Sequence, residues 1–173
     1  MDFHDDVHEN NEEVEIGSDE LLSDDQLRLP ESAKPLVRIH AVRAWLARRQ
    51  RETTIEIGEA ALALQEIQQI QEQDLARLRR REQQLLLERT QRAQQEFQAA
   101  QQRLEAYQEA AELLQENLSH TTSSERALVE YYLTLEDLIQ QLAGEAEGDS
   151  APRYQALADV QRRIERISAP EQE

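Results

Sequence analysis

Apolar residues are spaced very differently in the first thirty residues and in the rest of the chain. Residues 1–33 show no sustained period, whereas from residue 36 onwards apolar side chains recur every three to four positions. That spacing is typical of amphipathic helices. The pattern predicts an all-α protein with a long glutamine-rich coiled-coil helix, two short amphipathic helices after it, and a disordered acidic tail before it.

The first predicted helix covers residues 34–52, and Pro35 suits its first turn. Its apolar stripe shares the surface with basic residues and with the only tryptophan, which make up the candidate partner-binding set: Arg38, Arg43, Trp45, Arg48, Arg49 and Arg51. A basic amphipathic helix can dock on an acidic partner, on its own acidic tail, on phosphate or on an anionic membrane. A helix packed on the rest of the chain, with its arginines in solvent, is the alternative.

Residues 53–118 form the predicted coiled coil and contain no proline. Nine of the ten a and d positions between Leu86 and Leu118 are apolar, which is typical of a coiled-coil seam. The front half fits another register, with its a and d positions at Ile57, Ala61, Leu64, Gln68, Gln71, Leu75, Leu78, Glu82 and Leu85. The phase therefore slips by one residue near 79–86, beside Arg77, Arg79, Arg80 and Arg81.

A continuous helix over 54–118 would be roughly 100 Å long and could not bury its apolar stripe alone. We therefore predict a homo-oligomer, with a monomeric helical hairpin as the alternative. Thr53, Thr54 and Gly58 lower the local helix propensity, so the sequence is compatible with either a bend or a continuous helix at these residues. The predicted oligomerisation residues are Leu64, Leu75, Leu78, Leu86, Phe97, Leu104, Tyr107, Leu114 and Leu118.

Residues 124–168 form a predicted pair of short helices after a polar turn. Thr122 and Glu125 have the spacing of a capping box before a helix over 124–143, and Gly144 suits its end. Pro152 starts the last predicted helix, over 152–168. Both helices carry apolar stripes that can pack on the long helix or between subunits.

Charge is divided unevenly along the chain. There are 36 acidic and 19 basic residues, and residues 1–31 alone contribute −11 of the net −17. Residues 34–51 carry a local +6. The overall charge disfavours nucleic acid as a partner, and no apolar run of membrane-spanning length is present. We expect a cytoplasmic protein whose partners are other proteins and itself.

Catalysis finds no support in the sequence. The chain has no cysteine, no glycine-rich phosphate loop and no H-E-x-x-H or G-x-S-x-G motif. We therefore predict a non-enzyme with no cofactor, no metal and no small-molecule substrate. Three classes of function stay open: a self-associating adaptor or scaffold, an acidic assembly scaffold or chaperone such as those of phage capsids, and a membrane-surface or nucleoid-associated protein that uses the arginine and tryptophan helix.

The layout resembles that of the carboxysome-positioning adaptors called McdB. A polar N-terminal arm precedes a segment, 65–115, that holds 15 of the 22 glutamines, and a helical segment over 124–168 follows. The resemblance implies self-association and a link between the carboxysome shell and a ParA-type ATPase. Such adaptors commonly use a basic N-terminal arm, whereas here the bases begin only at Lys34. The arginines from Arg38 to Arg51 would then be the first positions to test.

Overall fold

The chain forms four α-helices in the computed structural model, which describes residue 29 and residues 32–145 and 151–168. In these residues all regular structure is helical, which confirms the predicted all-α class. The helices are α1 (Pro35–Asp74), α2 (Arg80–His120), α3 (Ser124–Ala143) and α4 (Pro152–Ser168), and a short 3-10 helix, Leu75–Arg77, connects α1 to α2. The acidic tail predicted over 1–33 lies almost entirely outside the described residues.

A break at residues 75–79 corrects the prediction of one continuous helix over 54–118. Here α1 ends and α2 turns back along it, so the two helices form an antiparallel hairpin, each about 60 Å long. The turn adjoins the predicted phase slip, because the two registers belong to two different helices that face each other. At the start of α2, the Arg79 backbone N–H donates to Glu82 Oε2 at 2.7 Å and satisfies one free donor of the helix end.

The predicted boundary between residues 52 and 53 is not a break, because α1 continues through it. The hydroxyls of Thr53 and Thr54 donate to the carbonyls of Arg49 and Gln50, at 2.8 and 2.7 Å, one helical turn earlier. These bonds satisfy both threonine side chains inside the helix. The basic helix and the front half of the predicted coil are therefore one element.

Burial along the hairpin follows the seven-residue spacing predicted for α2 and departs in part from the positions predicted for α1. All five predicted a positions of α2, from Leu86 to Leu114 at intervals of seven, are buried. On α1 the half-buried row at 57, 64 and 71 was predicted, but its companion row lies at Thr53, Ala60 and Ile67. Ala61 and Gln68 are exposed, so their predicted d positions are wrong.

The main core lies where α3 and α4 pack on the hairpin end that holds the start of α1 and the end of α2. The two short helices have the bounds that the sequence predicts, although the N-cap of α3 is Ser123 and not Thr122. Ser123 Oγ accepts from the Arg126 backbone N–H at 3.4 Å. The largest fully buried side chains of this core are Tyr107, Tyr131, Leu46, Leu114, Leu135, Leu157 and Ile167.

Beyond this bundle the hairpin continues as a two-helix arm with its own small core. Ile67, Leu86 and Ala93 are buried there, and Leu64, Ile70 and Leu78 pack against them. Ion pairs cross the arm, with Arg103 Nη2 at 2.6 Å from Glu56 Oε2 and Arg89 Nη2 at 3.8 Å from Glu66 Oε2. The molecule is therefore a four-helix bundle from which a two-helix arm projects.

Candidate functional site: an arginine pocket

The five arginines of the predicted partner-binding set do not form one patch but are spread around α1. Arg38 Nε donates to the Ala33 carbonyl at 3.2 Å, Arg43 donates to the side-chain oxygen of Gln115, and Arg48 Nε lies 3.2 Å from Glu52 Oε1. Arg51 is exposed. Arg43 thus contacts α2, whereas Arg49 reaches α4 through Asp159, and the candidate site is built around Arg49.

Trp45 belongs to the main core and not to an exposed face of α1. Its side chain is 7% exposed, and its ring meets the Tyr107 ring edge to face, with centroids 6.0 Å apart. This geometry is the favourable one for two aromatic rings. A membrane-binding role for the tryptophan would require the bundle to open.

Arg49 lies over both aromatic rings, with its guanidinium carbon 5.7 Å from the Trp45 centroid and 5.6 Å from that of Tyr107. Its terminal nitrogens also lie 3.2 Å from Glu52 Oε2 and 3.4 Å from Asp159 Oδ2. Burial acts to lower the pKa of Arg49, but Tyr107, Glu52 and Asp159 outweigh it, so the pKa is raised. Arg49 is therefore a permanent, well-anchored cation that joins α1 to α4.

A small pocket of about 80 Å³ opens beside Arg49, between α1 and α4. Its lining residues are Trp45, Arg49, Asp159, Arg162, Arg163 and Arg166, which we call the arginine pocket. The α4 members recur at intervals of three and four residues, so one helical face presents them all. Four guanidinium groups and the Asp159 carboxylate line the pocket, and the Glu52 carboxylate pairs with Arg49 beside it. The volume is large enough for a carboxylate-sized group.

The arginines of the pocket differ in their accessibility. Arg163 is only 4% exposed, whereas Arg162 and Arg166 are exposed at the rim. Arg162 pairs with Asp159 three residues earlier, so this carboxylate is shared between Arg162 and Arg49. Among the six lining residues the formal charge is +3, from four arginines and one aspartate, and the exposed rim arginines Arg162 and Arg166 are placed to meet an anionic ligand.

Sequence reasoning missed the half of the pocket that α4 supplies. The helix over 152–168 was predicted from its apolar stripe, and its charged residues were given no role. The available signal was the spacing of Arg162, Arg163 and Arg166, which puts three like charges on neighbouring positions of one helix. Arg162 and Arg166, at i and i+4, are neighbours on the helix surface, so this spacing marks a positively charged face of α4.

The predicted oligomerisation residues are engaged within one chain. Tyr107 and Leu114 are buried in the main core and Leu86 in the arm core. The other members with described side chains are all half-buried: Leu64, Leu78, Phe97, Leu104 and Leu118. The side chain of Leu75 lies outside the described part. The hairpin thus uses the stripe that was predicted to face a second copy.

The described residues offer no group of three or more histidine, cysteine or acidic side chains that could hold a metal ion. His40 and His120 are both exposed. No helix among residues 35–168, as far as these are described, is long and apolar enough to span a membrane. Comparison of the chain with family models, with curated proteins and with solved structures finds no match.

Proposed function

We propose that the protein is a non-enzymatic adaptor that binds a carboxylate-rich segment of a partner protein in the arginine pocket. The observation that carries this proposal is a pocket between two helices that four arginines and one aspartate line, in a chain with net charge −17. Arg162 and Arg166 lie four positions apart on α4, a spacing at which like charges repel each other. An anionic ligand bound between them would offset this repulsion.

Carboxylates fit the pocket better than nucleic acid does. The guanidinium group presents paired donors that match the two oxygens of a carboxylate. Nucleic acid would need an extended positive surface, whereas the arginine pocket is a small positive site on a chain with net charge −17. The small volume of the pocket also suits one or two side chains of a peptide better than a long backbone.

Anisotropy of a fluorescein-labelled oligoglutamate peptide, titrated with the full-length chain, tests the proposal. The rim variant R162Q/R166Q should weaken binding by about tenfold, because it removes two partly exposed charges worth up to about 1 kcal/mol each. R89Q/R92Q on the arm removes the same charge far from the pocket and should leave binding unchanged. Equal losses in both variants would show a non-specific charge effect and refute the site.

The McdB resemblance supplies the partners to test first within this proposal, a ParA-type ATPase and then a carboxysome shell protein. Its support is the layout of the sequence. Capture of the purified ATPase by the full chain, and loss of capture in R162Q/R166Q, would connect the pocket to that role. Capture that is equal in both proteins would assign recruitment to another surface.

Self-association is also part of the proposal, but it must use residues other than the seam. The arm exposes Ile55 and Leu62 on α1 and Leu85 and Leu87 on α2, each more than half exposed. A second copy of the arm would remove these apolar side chains from water. This surface would make the adaptor multivalent, since each copy carries its own arginine pocket.

A further inference from the structure

We propose that the acidic segment before α1 occupies the arginine pocket of its own chain, so that a partner must displace it. This inference rests on the proposed function, because it names the ligand that the pocket holds when no partner is present. Residues 1–31 contain twelve acidic residues and a single base, Arg28. No other part of the chain has such an excess of negative charge.

The helix directions bring the start of α1 close to the pocket. Tyr132 in the first half of α3 contacts Glu165 near the end of α4, and Arg43 near the start of α1 contacts Gln115 near the end of α2. A three-residue turn joins the end of α2 to the start of α3. The start of α1 and the end of α4 therefore lie at the same end of the bundle. The chain before α1 therefore joins the bundle at the same end as Arg166, which lies near the end of α4.

Leu29 anchors this entry, because it is half-buried and packs against the main core. Pro35 and Arg49 are fourteen positions apart on α1, about 21 Å along the helix axis. An extended chain spans about 3.3–3.6 Å per residue, so Asp24 and Asp25 can lie up to about 15 Å from Leu29, and Asp19 and Glu20 up to about 30 Å. These reaches are of the same order as the length of α1 between its start and Arg49.

A tethered ligand has an advantage over a free one of the same chemistry. A short connection gives an effective concentration in the millimolar range, which a partner segment must exceed through higher affinity or several contacts. Attraction between exposed charges is screened beyond about 10 Å at 0.1 M salt and beyond about 3 Å at 1 M. The intramolecular complex should therefore weaken as salt rises.

Energy transfer from Trp45 tests the complex in the full chain. Trp45 is the only tryptophan and lines the pocket, and the chain has no cysteine, so S23C can carry a single dansyl acceptor. We expect strong transfer at low salt, and a large loss at high salt or in R162Q/R166Q. The same label at Q140C on α3 should report an unchanged distance in every condition. The inference would be overturned if energy transfer from Trp45 to the dansyl label at S23C changed neither with salt nor in R162Q/R166Q.

Competition separates this inference from the proposed function. The first tail variant neutralises the four acidic residues nearest to Leu29, through D19N, E20Q, D24N and D25N together. It should bind the oligoglutamate peptide about tenfold more tightly than the wild type. Removing four distal acids should have a much smaller effect, through D2N, D5N, D6N and E9Q. Equal peptide affinity in the wild type and in both tail variants would refute tail occupancy and leave the pocket intact. Peptide binding that is absent in all three proteins would refute the pocket itself.

Discussion

Two neighbouring tyrosines in α3 have opposite hydroxyl environments and allow a sharp test of the bundle core. The Tyr131 side chain is fully buried, and its hydroxyl has no hydrogen-bond partner among the described residues. The Tyr132 hydroxyl donates to Glu165 Oε1 at 2.7 Å near the surface. Replacing each tyrosine by phenylalanine keeps the ring and removes only the hydroxyl, so the two variants isolate the two environments.

The expected effects on the free energy of unfolding have opposite signs. A buried hydroxyl without a partner costs about 1–3 kcal/mol, so Tyr131→Phe should raise the free energy of unfolding by about 1 kcal/mol or more. In a chain of this size that corresponds to a rise in Tm of about 2–4 °C. Tyr132→Phe loses an exposed hydrogen bond to a carboxylate and should lower stability by up to about 1 kcal/mol.

Alkaline pH should enlarge the difference between the wild type and Tyr131→Phe. Burial raises the pKa of Tyr131 above its ordinary value of 10.0. The unfolded chain releases this proton from about pH 10 while the folded chain retains it, so the wild type loses stability as pH rises, by about 1.4 kcal/mol per pH unit. Below pH 10 the proton is bound in both states and contributes no slope. Tyr131→Phe lacks this loss.

Urea denaturation followed by circular dichroism, repeated at neutral and alkaline pH, measures both effects. The denaturant slope should not change, so that the midpoints report stability directly. A loss of about 1 kcal/mol or more in Tyr131→Phe at neutral pH would show that the hydroxyl has a partner, and the described packing around α3 would then be wrong.

Three further predictions concern packing, backbone and association. Leu135→Ala should lower the free energy of unfolding by about 2–5 kcal/mol, since Leu135 is fully buried, whereas Leu133→Ala, at a half-exposed position, should cost much less in the same urea assay. Gly58→Ala should raise stability by about 0.5–1 kcal/mol in thermal unfolding, because an added Cβ meets nothing within 4 Å. Sedimentation equilibrium should show an oligomer that L62E/L87E converts to a monomer; a wild-type monomer at tens of micromolar would contradict self-association.

Local signals predicted the short helices and the α2 seam well. Proline at the first turn, glycine after the last turn and seven-residue spacing act on neighbouring residues, so the sequence contains them directly. Even the phase slip near 79–86 marks a real feature, the hairpin turn. Whether a stripe is covered by the same chain or by a second copy is a question of tertiary contacts, and periodicity carries no information on it.

For the same reason, the sequence predicted only part of the candidate site. Arg49 stood out because it lies in a basic segment with Trp45, but its surroundings come from Tyr107 and Asp159, more than fifty positions later in the chain. A compositional analysis ranks Arg43 and Arg51 equally with Arg49, although neither of them lines the pocket. The packing of α1 on α4 places Arg49, but not the other predicted arginines, in the pocket. It also brings three arginines of α4 to the same pocket.

The placement of the pocket between α1 and α4 has a consequence for biosynthesis. During translation α1 and α2 emerge first and can pair from the turn at 75–79 outward, since their closest contacts are nearest in sequence. Of the described helices, α4 leaves the ribosome last, and the arginines that it supplies to the pocket leave with it. A nascent chain therefore has no assembled pocket until its bundle closes, so any ligand of the pocket can bind only to a chain whose folding is complete.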